Sequence, residues 1–163
     1  MNLFSHLDEN GDARMVDISE KDVTARMAVA SGRINMSPEC FTMLLGGTIP
    51  KGDVLSTARI AGIMAAKRTS DLIPMCHTLL LEKVKITFEP DETSYVIEAR
   101  CEVRLTGKTG AEMEALTGVS VALLTVYDMC KAVDKNMVIS DVCLQEKNGG
   151  KTGHYLRNEG KHK

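Results

Sequence analysis

Hydrophobic positions along the chain fall into alternating runs and helical runs. From Arg26 to Met36 they alternate loosely, with Met27, Val29, Ile34 and Met36 apolar, which predicts a strand. Glu82 to Glu89 alternates cleanly, placing Val84, Ile86 and Phe88 on one face and Lys83, Lys85 and Thr87 on the other. Tyr95 to Leu105 repeats the pattern with Ile97, Ala99, Cys101 and Val103 inward, and Pro90-Asp91-Glu92-Thr93 between the runs carries turn chemistry. Together they predict a hairpin with one polar face. Met137 to Leu144 predicts a last strand. Helices fill the gaps. Ser37-Pro38-Glu39 offers an N-cap and a proline at the first helical position, and Gly46-Gly47 a stop. Asp53 caps an alanine-rich helix closed by Lys67-Arg68. Ala111 to Val133 predicts a long helix that stops near Asp134-Lys135-Asn136.

The order strand, helix, helix, strand, strand, helix, strand becomes the split βαβ arrangement once one helix is set aside. The expected fold is therefore α+β and ferredoxin-like: an antiparallel four-stranded sheet with helices packed on one face. Its polar face would meet solvent or another subunit. A single domain is expected over 1–163, with a polar N-terminal segment, 1–14, and a mobile C-terminal tail, 148–163.

Composition narrows the function classes. The net charge is −2, and there are no Trp, three Tyr and three Phe. Neither a polyanion surface nor an aromatic stacking platform follows from that, so no nucleic-acid partner is expected. No apolar run suggests a signal or a membrane span, so a cytoplasmic protein is expected. Five cysteines, an odd number without a Cys-x-x-Cys pair, are expected to be free thiols in a reducing compartment.

Several motifs carry candidate chemistry, each beside a plainer reading. Gly107-Lys108-Thr109 suggests a P-loop, but the glycine required five residues earlier is Glu102, so a strand-to-helix turn is the better reading. Cys76-His77 follows Pro74 in a loop. Two adjacent ligand types do not make a zinc site, and no metal site is expected. His77 suits proton transfer, with an ordinary pKa near ~6.5, or it is a structural loop residue. His6, His154 and His162 lie in the terminal segments. Glu112-Met113-Glu114 opens the long helix, where acidic residues suit the dipole. A carboxylate there could equally accept from the N–H groups of a guanine-like edge. Asp128 and Lys131 are neighbours at i and i+3 in an otherwise nearly uncharged helix, either a surface ion pair or a functional one. Lys51 sits in a Pro-Lys-Gly loop, and Lys147 and Lys151 flank Gly149-Gly150.

Taken together and in order, these runs are specific. Lys51-Gly52-Asp53-Val54, Ala58-Arg59-Ile60-Ala61-Gly62, Ala65-Ala66-Lys67-Arg68-Thr69 and Asp71-Leu72-Ile73-Pro74 are followed by Cys76-His77 and Leu105-Thr106-Gly107-Lys108-Thr109-Gly110. Then come Glu112-Met113-Glu114-Ala115-Leu116-Thr117, Tyr127-Asp128-Met129-Cys130-Lys131-Ala132 and Gly149-Gly150-Lys151. From Met15 to Gly153 the chain resembles the cyclic pyranopterin monophosphate synthase (MoaC) family. The resemblance implies a lyase of molybdenum cofactor biosynthesis. Its substrate would be (8S)-3',8-cyclo-7,8-dihydroguanosine 5'-triphosphate, and its products cyclic pyranopterin monophosphate and pyrophosphate. It implies a homohexamer, a trimer of dimers, with sites at subunit interfaces. It implies no tightly bound cofactor, and a magnesium ion only as company for the triphosphate. By the same resemblance Lys51 and Lys131 are acid/base groups and Asp128 the catalytic carboxylate that orients Lys131. Met75, Cys76, His77, Glu112, Met113 and Glu114 contact substrate, and Arg26 and Lys147 meet its phosphates. One departure stands out. The family usually has proline after the Cys-His pair, and Thr78 here removes the restraint a proline places on His77.

Overall fold

The computed structural model describes Leu7, residues 10–151 and residues 153–158. His6 and His162 lie outside them. The elements run β1 (Thr24–Asn35), α1 (Pro38–Leu45), α2 (Val54–Lys67), α3 (Thr69–Leu72), β2 (Lys83–Asp91), β3 (Val96–Gly107), α4 (Glu112–Cys130), β4 (Val138–Asn148) and β5 (Tyr155–Leu156). The strands form one antiparallel sheet in the order β2-β3-β1-β4-β5. β3 is inserted between β1 and β2, the split βαβ arrangement that the element order predicts. The count of four strands needs correcting to five. Tyr155 and Leu156 pair with Lys147 and Glu146 on the outer edge of β4, and a two-residue strand leaves no periodicity to read.

Local chemistry explains where the helices begin. The Ser37 hydroxyl accepts from the Cys40 N–H at 3.2 Å, with Pro38 opening the first turn. The Asp53 carboxylate accepts from the Ser56 N–H at 3.0 Å. The short α3 goes unpredicted because the cations at 67–68 read as a helix end. The Arg68 N–H instead bonds back to Ala65, and the Thr69 hydroxyl is buried against Ala66.

The core lies between the sheet and the pair α2 and α4. On β3, Ile97, Ala99, Cys101, Val103 and Leu105 all point inward as the alternation predicts. On β1 the inward residues are Ala28, Ala30 and Ile34, whose partners across the ladder are Val103, Cys101 and Ile97. Met27 and Val29 therefore face the other side of the sheet. That other side is a charged lattice: Glu102 accepts from Lys83 at 3.1 Å and Arg104 at 2.7 Å, and Glu98 pairs with Arg33 at 3.3 Å.

By length and composition alone α4 could cross a membrane, with a mean hydropathy of 1.3. In the fold it is a core helix, with Ala115, Val119, Ala122, Leu123 and Val126 fully buried. α2 meets it through two glycines. A Cβ on Gly62 would stand 2.7 Å from the Gly118 carbonyl, and one on Gly118 would stand 2.7 Å from the Cys101 sulfur. Backbone cannot give way as a flexible side chain can. Gly62→Val is therefore expected to destabilise the fold by about 1–3 kcal/mol or more, through overpacking. Denaturant unfolding measures it, and an unchanged midpoint would mean the two helices do not cross this closely.

Candidate functional site

The residues singled out in the sequence gather at the two ends of α4. At its C-terminal end Asp128 sits between two lysines. Lys131 Nζ donates to Asp128 Oδ1 at 2.6 Å, the i,i+3 contact of one helix face. Lys51 Nζ donates to Asp128 Oδ2 and to the Asp128 carbonyl, both at 3.0 Å. The loop that delivers Lys51 is a tight turn: the Gly52 N–H donates to the Ile49 carbonyl at 3.0 Å, Pro50 sits at the second position, and Gly52 takes φ +100°. Buried Ile49 anchors it in the core.

All three charged side chains are about half exposed, at 48%, 57% and 51% for Lys51, Asp128 and Lys131. Asp128 thus lies on the solvent side of an apolar helix whose Val126 and Cys130 point inward. The hydrogen bond from Lys131, then that from Lys51, holds the Asp128 carboxyl below its usual pKa. The same bond raises the Lys131 pKa. The Asp128 carboxylate is the charge that bonds Lys131, so it sets the direction of the shift.

At the N-terminal end of α4 a second group lines two adjoining clefts. One, of about 460 Å³, is strongly basic: Lys21, Arg26, Lys108, Lys147 and Lys151 line it against the carboxylates of Asp22 and Glu112. The other, of about 420 Å³, is lined by Met75, Cys76, His77, Met113 and Glu114. Lys21, Thr109, Gly110 and Glu112 border both, so the clefts are continuous. Arg26 is fixed in the basic cleft by donating Nε–H to the Gly107 carbonyl at 2.9 Å. Gly149 and Gly150, at φ +100° and +78°, wrap the chain closely around Arg26, where any Cβ would collide. Lys147 is paired with Glu112 at 2.9 Å. The Thr24 hydroxyl, on the same lining, is buried without a hydrogen-bond partner among the described residues.

In the second cleft His77 Nε2 lies 2.8 Å from the Val16 carbonyl. A carbonyl only accepts, so Nε2 carries a proton toward it, and the neutral tautomer with that proton has Nδ1 as its acceptor. Glu114 is 5% exposed, and burial, with a further contribution from Glu112, pushes its pKa up to about 7. The fold therefore favours its protonated form. Between the usual 4.5 and about 7, the folded chain keeps a proton that the unfolded chain releases, so stability falls as pH rises through that window. Glu114→Gln is expected to remove this penalty. Its gain over wild type should grow by about 2–3 kcal/mol between pH 5 and pH 8. A gain independent of pH, read by unfolding at both values, would contradict the burial account.

All the sequence-derived candidates are thus found in one of two groups, but no single group unites them. Asp128 lies 16 residues along α4 from Glu112, about 24 Å at ~1.5 Å per residue. Sequence reasoning passed over Lys21 and Lys108 as site residues. Lys108 was visible in the turn dismissed as a P-loop, and its Nζ now holds the Ser19 carbonyl at 2.5 Å beside the cleft. Lys21 left no signal, being one charge in a polar segment. Among the described residues no three His, Cys, Asp or Glu side chains are grouped as a metal site requires. The five cysteines are free, and burial pushes Cys101 and Cys130 up to about 12, which makes them unreactive thiols.

A ferredoxin-like α+β protein with a basic cleft beside a buried acid is the class that fold and site define. The family model described as the MoaC family matches residues 15–150. The chain belongs to the MoaC family. It is 60% identical over 159 residues to the cyclic pyranopterin monophosphate synthase of Heliobacterium modesticaldum, covering 98% of this chain and 100% of that protein. It is 56% identical over 153 residues to the protein of the same name in Desulforapulum autotrophicum, covering 94% of each. The Chloroflexus aurantiacus synthase is 55% identical over 156 residues, 96% of each chain.

Proposed function

We propose that this chain converts (8S)-3',8-cyclo-7,8-dihydroguanosine 5'-triphosphate into cyclic pyranopterin monophosphate and pyrophosphate, a lyase step in molybdenum cofactor biosynthesis. The observation that carries the reading is the basic cleft opening directly onto the Glu114 cleft. Five cations against two carboxylates suit a triphosphate. The neighbouring cleft takes the base. Its N–H groups hydrogen-bond the Glu114 carboxylate, which gives up its proton to solvent on binding, and His77 offers Nδ1 as an acceptor. Lys147 exchanges Glu112 for a phosphate oxygen on binding. A magnesium ion enters only with the triphosphate, as part of the substrate, and no tightly bound cofactor takes part.

The chemistry opens the imidazole ring, closes a pterin ring and forms a cyclic phosphate. In the last step a sugar hydroxyl forms a bond to the inner phosphorus, loses its proton, and the bond to pyrophosphate breaks. Each step needs a proton taken or given at a fixed place. Lys131, an ammonium ion positioned by Asp128, supplies protons; Lys51 exchanges them from the other side of the same carboxylate. The two ends of α4 are too far apart to meet on one nucleotide within one chain. We therefore read the site as shared, the N-terminal end of α4 from one subunit facing the C-terminal end from another, in a homohexamer built as a trimer of dimers in the cytoplasm. The test is turnover of the enzymatically prepared substrate, with pyrophosphate and the pterin product followed together.

A further inference from the structure

We propose that Asp134 is a positioning residue for the Lys51–Asp128–Lys131 cluster, a role that rests on the functional reading above. Asp134 is one of four polar residues buried among the described residues, and it lies three positions beyond Lys131. A buried carboxylate is costly unless its oxygens are satisfied, and both of these are. Oδ2 accepts from the Ser37 N–H at 2.7 Å, and Oδ1 accepts from the Asn136 N–H at 2.8 Å.

These two bonds join the elements that carry the two lysines. Ser37 is the N-cap of α1, and α1 leads into the turn that presents Lys51. Asp134 itself closes the turn that follows α4, where its N–H and that of Val133 return to the Cys130 carbonyl. On the outer side, the Tyr127 hydroxyl donates to the Lys135 carbonyl at 3.0 Å and ties the turn back to α4 next to Asp128. The cluster itself is half exposed, so its own ion pairs hold its geometry weakly. Its alignment comes from beneath, through the Asp134 staple. Asp134 touches neither cleft, so its loss should act on the chemical steps and leave substrate capture alone.

The test compares Asp134→Ala, Asp134→Asn and Tyr127→Phe with wild type in steady-state pyrophosphate release, with a melting curve for each. A misplacement of about 1 Å costs on the order of 10²-fold in rate. Asp134→Ala is expected to lower kcat by about that factor with KM within about threefold. Asp134→Asn should recover much of the loss, since its Oδ1 still accepts from Ser37. Tyr127→Phe, which loosens the same turn without touching the core, should lower kcat severalfold at constant KM. If Asp134→Ala does not fold, Tyr127→Phe carries the decision. A folded Asp134→Ala or Tyr127→Phe protein with wild-type kcat, or with kcat/KM lost through KM, overturns the proposal. Absence of pyrophosphate release by the wild type would instead remove the functional reading beneath it, and the proposal with it.

Discussion

Asp128→Ala is expected to lower kcat on the order of 10³-fold while binding of the substrate and melting temperature stay close to wild type. Asp128 is the common partner of Lys51 and Lys131, at 3.0 and 2.6 Å, so one substitution frees both lysines. Lys131 then loses the bond that raises its pKa and holds its ammonium group in place. Positioned acid/base groups contribute about 10²–10⁴ to rate, and the expected loss falls within that range. KM should hold because the clefts that capture substrate open at the other end of α4. The fold should hold because all three side chains are half exposed. Steady-state kinetics beside a melting curve decides it. A variant with wild-type kcat would return the trio to a surface ion pair.

The second large effect concerns the shared site. Asp128→Ala spoils one end of α4, and the double variant His77→Ala, Lys147→Ala spoils the other. Each alone should be inactive. Co-expressed in one cell, they should regain about a quarter of wild-type turnover, because one in four randomly paired sites takes its intact half from each chain. A site contained in one chain would never be whole in either variant, and the mixture would stay inactive. Tagging the two chains differently and isolating the mixed assembly makes the comparison free of homomers.

Much of this arrangement could be read before any coordinates, and the limits have physical causes. The hairpin of β2 and β3 shows one polar face and one apolar face, so its alternation specifies which residues point inward. β1 is harder. It is the central strand, and Ala28 to Gly32 are all buried, Val29 and Ser31 on the face away from the helices. A strand buried on both faces loses its period of two, and the larger Met27 and Val29 drew notice where the small Ala28 and Ala30 fill the core. The helix caps at Ser37 and Asp53 were legible because capping is local chemistry. The site was legible only as scattered positions. Nothing in spacing joins Lys51 to Asp128, 77 residues on, or Arg26 to Lys147 across the β1–β4 ladder. The resemblance to a family supplied those groupings, and the fold shows that they fall at two ends of one helix. The direction of the Lys131 pKa was not legible for a related reason: it depends on which charge stands nearest, and that is a three-dimensional fact.

One measurement bears most directly on the central claim: pyrophosphate and pterin product from wild-type protein given the cyclised dihydroguanosine triphosphate. The account predicts one pyrophosphate for each cyclic pyranopterin monophosphate, with neither formed without the other. Tight binding of the nucleotide with no pyrophosphate released would contradict it, and would make the chain a nucleotide sensor on the same scaffold.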